Sequence, residues 1–139
     1  MVQRLVGEAG IRWPVGASDK PWLMKELRTL YCDILNRYGI DPADWELVMT
    51  GRSHQNLHGQ FRSRDHKVMI HNHDPFTLVH EVAHLLIHVQ WKGRGFHIPS
   101  HGREYKNKLQ LLIDLYRARL VAGSTQYQVI VMAEEYTVI

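Results

Sequence analysis

Residues 79–91, VHEVAHLLIHVQW, constrain the chain more than any other stretch. Three histidines, His80, His84 and His88, recur at four-residue steps in a segment otherwise dominated by apolar residues. The apolar run around them (Leu78, Val79, Val82, Ala83, Leu85, Leu86, Ile87) is too long for one strand and too short for a membrane span, so it predicts a largely buried helix over about 76–91. Burying His80, Glu81 and His84 together without a partner costs several kcal/mol. The fold must therefore supply such a partner, and a metal ion is the natural one.

His80-Glu81-Val82-Ala83-His84 reads H-E-x-x-H. Residues i and i+4 lie above one another on a helix face, so two imidazole nitrogens can reach one zinc ion at about 2.0–2.1 Å. Glu81 points about 100° around the helix from His80, the position of a general base acting on water in a zinc peptidase. Shuffling this composition produces the motif in roughly 3–4% of cases, so its apolar helical setting matters as much as its letters. A catalytic zinc needs a third protein ligand. His101, in the phrase S-H-G-R-E-Y-K that opens the next helix, is the expected one. Glu104 is the alternative in a two-histidine–glutamate site. His88 cannot bend back to the same ion and is expected to pack or to support a ligand. His97 lies in a glycine-rich loop. Tyr105, His73 and His97 are candidate contacts to substrate or to a developing oxyanion.

The remaining organisation is α+β in one domain. Residues 1–17 show no period and read as an irregular arm. SDKPWLMKELRTLYCDILNRYG predicts a helix capped by Ser18 or Asp19, with Pro21 in its first turn and Gly39 at its end. Strands are expected at 45–50, 57–62 and 66–71, the last two as a hairpin. The helix at 76–91 follows, with Thr77 as a candidate cap and Pro75 as an earlier start. A further helix runs from Ser100 to Gly123, and YQVIVM (127–132) is strand-like in a tail, 124–139, with no assigned role. The domain is thus 18–123. Strand 66–71 is the expected sheet edge, able to hold an extended substrate as an added strand.

Cys32 is the only cysteine, so neither an internal disulfide nor a cysteine zinc ribbon is available. With no secretory leader and no apolar run of membrane length, a cytoplasmic protein without membrane contact is expected. Net charge is +3. It is concentrated between residues 85 and 119, where Lys92, Arg94, Arg103, Lys106 and Lys108 suggest a face for weak DNA binding, or equally a solvated helix surface.

Three segments together resemble the SprT-like zinc metallopeptidases. GQFRSRDHKVMIH (59–71) is similar to that family's glycine-led strand pair, TLVHEVAHLLIH (77–88) to its catalytic helix, and HGREYKNKL (101–109) to its H-G-x-E third-ligand motif. The resemblance covers about residues 18–119. It implies a zincin-like metallopeptidase core of helices and sheet, with zinc on His80, His84 and His101 and with Glu81 as base. It also implies protein or peptide substrates, DNA-associated ones included. Two features depart from the family: the C-terminal zinc ribbon is missing, and Tyr105 stands where Trp or Phe is usual. A core this small would suit a phage or bacterial accessory protein. Two other expectations remain: an ImmA/IrrE-type regulatory peptidase using a downstream Glu, and a zinc-stabilised nucleic-acid-binding or virion-assembly module that needs no base.

Overall fold

The computed structural model describes residues 4–5, 10–14, 22–50, 58–92 and 101–123. Ser18, Asp19, Pro21, Arg94, His97, Ser100 and the tail 124–139 lie outside the described residues. Within them the chain is α+β, with four helices and a small mixed sheet of three strands.

Helix α1 spans Met24–Arg37 and buries Leu27, Leu30, Tyr31 and Ile34, the three- and four-residue steps of one apolar face. Burying a side chain of this size contributes roughly 1.5–3 kcal/mol. The helix starts later than the cap residues suggest, with Leu23 in the cap position and no capping side chain. The Trp22 N–H donates to the His73 carbonyl at 2.9 Å, which ties the helix entrance to the chain just before the histidine helix. Gly39 ends α1 at φ +72°, where a Cβ would be strained.

A 3-10 turn at Pro42–Asp44 leads into β3 (Glu46–Met49). The strands β4 (Gly59–Arg62) and β5 (Lys67–Ile70) form the expected antiparallel hairpin. β3 pairs with β5 in parallel, giving the order β3-β5-β4. The strand expected at the edge, 66–71, is therefore the middle one, with both of its sides taken by neighbours. The edges belong to β3 and β4. Val68 and Ile70 of β5 are fully buried, as suits a central strand.

Helix α2 (Pro75–Trp91) begins at Asp74 rather than Thr77. The Asp74 side chain accepts from the Phe76 N–H and Pro75 occupies the first turn. Thr77 is buried against the sheet instead. Helix α3 (Arg103–Leu115) follows, with Gly102 in its cap position. The expected single helix breaks at Tyr116, beyond which α4 (Arg117–Ala122) returns Leu120 to the core and brings Arg119 onto Asp33 of α1. The arm read as irregular carries a short antiparallel ribbon, β1 (Arg4–Leu5) with β2 (Arg12–Trp13). Ile11 and Trp13 of this ribbon are each only 2% exposed, so it is part of the core. No helix among the described residues is long and apolar enough to cross a membrane.

Candidate metal centre

α2 carries His80 and His84 on one face, one turn apart, and the start of α3 brings His101 to them. The donor atoms of the three histidines all lie within 4.8 Å of one another, close enough to hold a metal ion. The Nε2 atoms of His84 and His101 are 3.1 Å apart. Two ligands at 2.0–2.1 Å from a tetrahedral ion stand roughly 3.3 Å apart, so this pair needs almost no movement to fit one. The donor chemistry fits as well. Burial, reinforced by the neighbouring His80 and His101, pushes the His84 imidazole down to about 3, so it stays a neutral nitrogen donor at neutral pH.

Glu81 lies beneath the cluster rather than in it. It is 7% exposed, and its Oε2 is 3.0 Å from His80 Nδ1. In the tautomer that donates Nδ1–H to this carboxylate, His80 offers a metal its Nε2 lone pair, and the carboxylate fixes the ring. Gly59 explains how Glu81 is held. A Cβ at Gly59 would meet Thr77 Cγ2 at 2.9 Å, Glu81 Cγ at 3.0 Å and the Met69 carbonyl at 3.0 Å. β4 thus lies directly on α2 at Glu81, a contact that only glycine permits. Gly59→Ala should destabilise the protein by about 1–3 kcal/mol and displace Glu81. Denaturant unfolding measures the first effect. An alanine variant as stable as the parent would mean that this contact is looser than the distances say.

Tyr105 is the shelf under the histidines. It is fully buried, and its ring stacks on His84 (4.2 Å, 20°) and on His101 (4.9 Å, 13°). Its hydroxyl donates to the His80 carbonyl at 3.1 Å. Tyr105, the side chain expected to contact substrate, thus touches all three histidines of the cluster. The flat ring also accounts for an aromatic residue four positions after His101.

Other expected site residues are placed apart. Glu104 lines a groove of about 220 Å³ with Ile87, Trp91, Lys108 and Leu111, and it does not join the three donors. His88 packs edge-on to Trp45 (5.8 Å) and against Phe61 (5.6 Å); burial and the nearby Lys92 lower its pKa. His73 gives its carbonyl to Trp22, and among the described residues its ring makes no hydrogen bond or ring contact with the cluster. Of the expected cationic residues, Arg103 and Lys106 lie about 60° apart around α3 by helix geometry. Lys106 and Lys108 lie about 160° apart around α3 by helix geometry. The Lys108 ammonium sits 5.0 Å from the centre of the Tyr38 ring, towards α1. Arg103 and Lys92 are exposed.

Two features have weaker sequence signals. Gly59 inside a strand pattern marks a close backbone approach, and that signal is readable. His71, at the end of β5, has none. It is 2% exposed, with Nδ1 2.7 Å from Thr50 Oγ1 and Nε2 3.5 Å from the Gln60 amide, and so it links the ends of all three strands. No protein-family model, curated protein or solved structure matches the chain.

Proposed function

We propose that the chain is a zinc metallopeptidase core of the SprT-like, zincin-like type, hydrolysing peptide bonds in protein substrates. The observation that carries this reading is the convergence of His80, His84 and His101 with a carboxylate, Glu81, on the adjacent helical position. A structural zinc site commonly has four protein ligands, whereas a catalytic one has three and keeps a position open for water or substrate. Three donors and a neighbouring base match the second pattern. The location of Glu104 in a separate groove favours His101 over a two-histidine–glutamate site, and with it the SprT-like over the ImmA/IrrE-like reading.

When bound, zinc supplies a polarised carbonyl and a water that loses its proton near pH 7. Glu81 takes that proton through the carboxylate oxygen not engaged by His80. As the new C–O bond forms and the C–N bond breaks, Glu81 returns the proton to the leaving amine, so it ends the cycle as it began. Tyr105 and the Glu81–His80 contact hold the ligand rings still throughout. Among the described residues no strand pairs with the outer edge of β4, where Gly59 lies beside Glu81, and an extended peptide added there as a further strand would run past the base. Arg103 and Lys106 share one side of α3 and Lys108 lies on the other, so these cations by themselves favour no particular class of DNA-bound substrate.

Protein purified without chelator should contain one zinc per chain and cleave an unfolded protein such as casein. Chelation should stop cleavage, and added zinc should restore it. A zinc ratio well below one that added zinc does not raise rules the metal out. Full zinc with no cleavage of any unfolded substrate leaves a non-catalytic zinc module.

A further inference from the structure

We infer that Gln110 is a positioning residue for the metal centre, acting through the N-terminal ribbon. It fixes the backbone of Arg12, which seats Trp13 against Phe76 and Phe76 against His80. The inference rests on the metal reading above.

The contacts form a continuous series. The Asp114 carboxylate accepts from the Gln110 side-chain amide at 3.1 Å, which sets which way that amide faces. Gln110 Oε1 then accepts the Arg12 N–H at 2.9 Å, and Gln110 Nε2 donates to the Arg12 carbonyl at 3.3 Å. One side chain thus satisfies both backbone groups of a residue nearly a hundred positions away, as a neighbouring strand would. A ribbon of two-residue strands is not stable on its own, so its position depends on such docking. The next residue, Trp13, is 2% exposed and meets Phe76 edge to face at 5.1 Å, 88°. Phe76 meets the His80 ring at 5.8 Å.

His80 is consequently supported on several sides. Glu81 holds its Nδ1, Tyr105 holds its carbonyl and packs at 5.5 Å, and Phe76 packs its ring. Two of these supports originate on α3, Tyr105 directly and Phe76 by way of Gln110, Arg12 and Trp13. Helix α3 also follows directly on His101. The clamp therefore couples the seating of the ribbon to the geometry of two ligands that reach the ion from different helices. Without it, Trp13 loses its anchor and the Phe76 ring, only half-buried, gains freedom to swing away from His80.

Cobalt(II) is the probe, because its visible absorption reports coordination geometry as well as affinity. It would be titrated into the full-length chain and three variants. Gln110→Leu keeps the size and the helix but breaks both bonds to Arg12. Trp13→Leu keeps the core apolar but removes the ring behind Phe76. Ile34→Val, in the buried face of α1, lowers stability without touching the clamp. Both Leu variants should bind cobalt about tenfold more weakly, the lower end of what orienting neighbours of a ligand histidine contribute, with a weakened visible band. Ile34→Val should melt earlier yet keep the parent's affinity and spectrum. Parental affinity and spectrum in Gln110→Leu overturn the inference while the metal reading stands. Equal weakening in Ile34→Val also overturns it, because affinity then merely follows stability. A parent chain that takes up no cobalt overturns the metal reading itself, and the inference with it.

Discussion

Glu81→Gln should leave the zinc in place and reduce peptide hydrolysis by roughly 10²–10⁴, the range a positioned general base supplies. The amide is nearly the size of the carboxylate and its oxygen can still accept Nδ1–H from His80, so the ligand ring stays oriented. What it cannot do is take a proton from water. Glu81→Ala should behave differently. It removes the acceptor for His80 Nδ1 and opens space beneath Gly59, so zinc affinity should fall by about 10–100-fold along with activity. Zinc content, melting temperature and casein cleavage on both variants separate the two roles. Full activity in Glu81→Gln excludes Glu81 as the base. Unchanged zinc affinity in Glu81→Ala means that the contact to His80 orients nothing.

The contrast between these variants depends on a contact that the sequence does not disclose. The H-E-x-x-H spacing puts His80 and His84 on one helix face and Glu81 about 100° away, and the structure keeps that arrangement. Spacing does not say that the carboxylate turns back to Nδ1 of His80, nor that β4 closes over it at Gly59. Helix α2 is legible because its apolar pattern is long, although its cap is Asp74 and not the expected Thr77. The start of α1 is not, because its cap position is held by Leu23 with no capping side chain, beside a long-range bond from Trp22 to His73. The sequence finds three strands and the β4–β5 hairpin, but not the place of β3. β3 reaches β5 across the hairpin's outer side, and nothing in the alternation of its residues specifies a parallel neighbour. The ribbon is invisible for a simpler reason: two-residue strands have no period to detect. Arg103, Lys106 and Lys108 are close in sequence, which suggests a common face. The 100° step of the helix keeps Arg103 and Lys106 about 60° apart but turns Lys108 roughly 140–160° away from them, and that follows from helix geometry alone.

His101→Ala should cost the chain its zinc-linked stability, and Glu104→Ala should not. Any ligand that binds only the folded state stabilises it by RT ln(1 + [L]/Kd), about 4 kcal/mol when free zinc is a thousand times its dissociation constant. In the parent chain, zinc should therefore raise the melting temperature by many degrees. With His101 gone the site keeps two donors, and affinity should drop by more than the roughly 10–100-fold expected for loss of an orienting neighbour. Glu104 sits in the groove with Trp91 and Lys108, so its removal should leave the zinc-dependent shift intact. The reverse result would mean a two-histidine–glutamate site and an ImmA/IrrE-like enzyme. Acid adds an independent check. His84 is held neutral in the metal-free fold down to about 3, while in the unfolded chain it takes a proton near its ordinary value of 6.5. Below pH 6.5 the unfolded state binds more protons, so metal-free stability should fall as pH drops from 6.5 towards 3. Unfolding curves at several pH values test this, and His84→Ala should flatten the slope. An unchanged slope would mean that His84 takes up its proton in the fold as readily as in the unfolded chain.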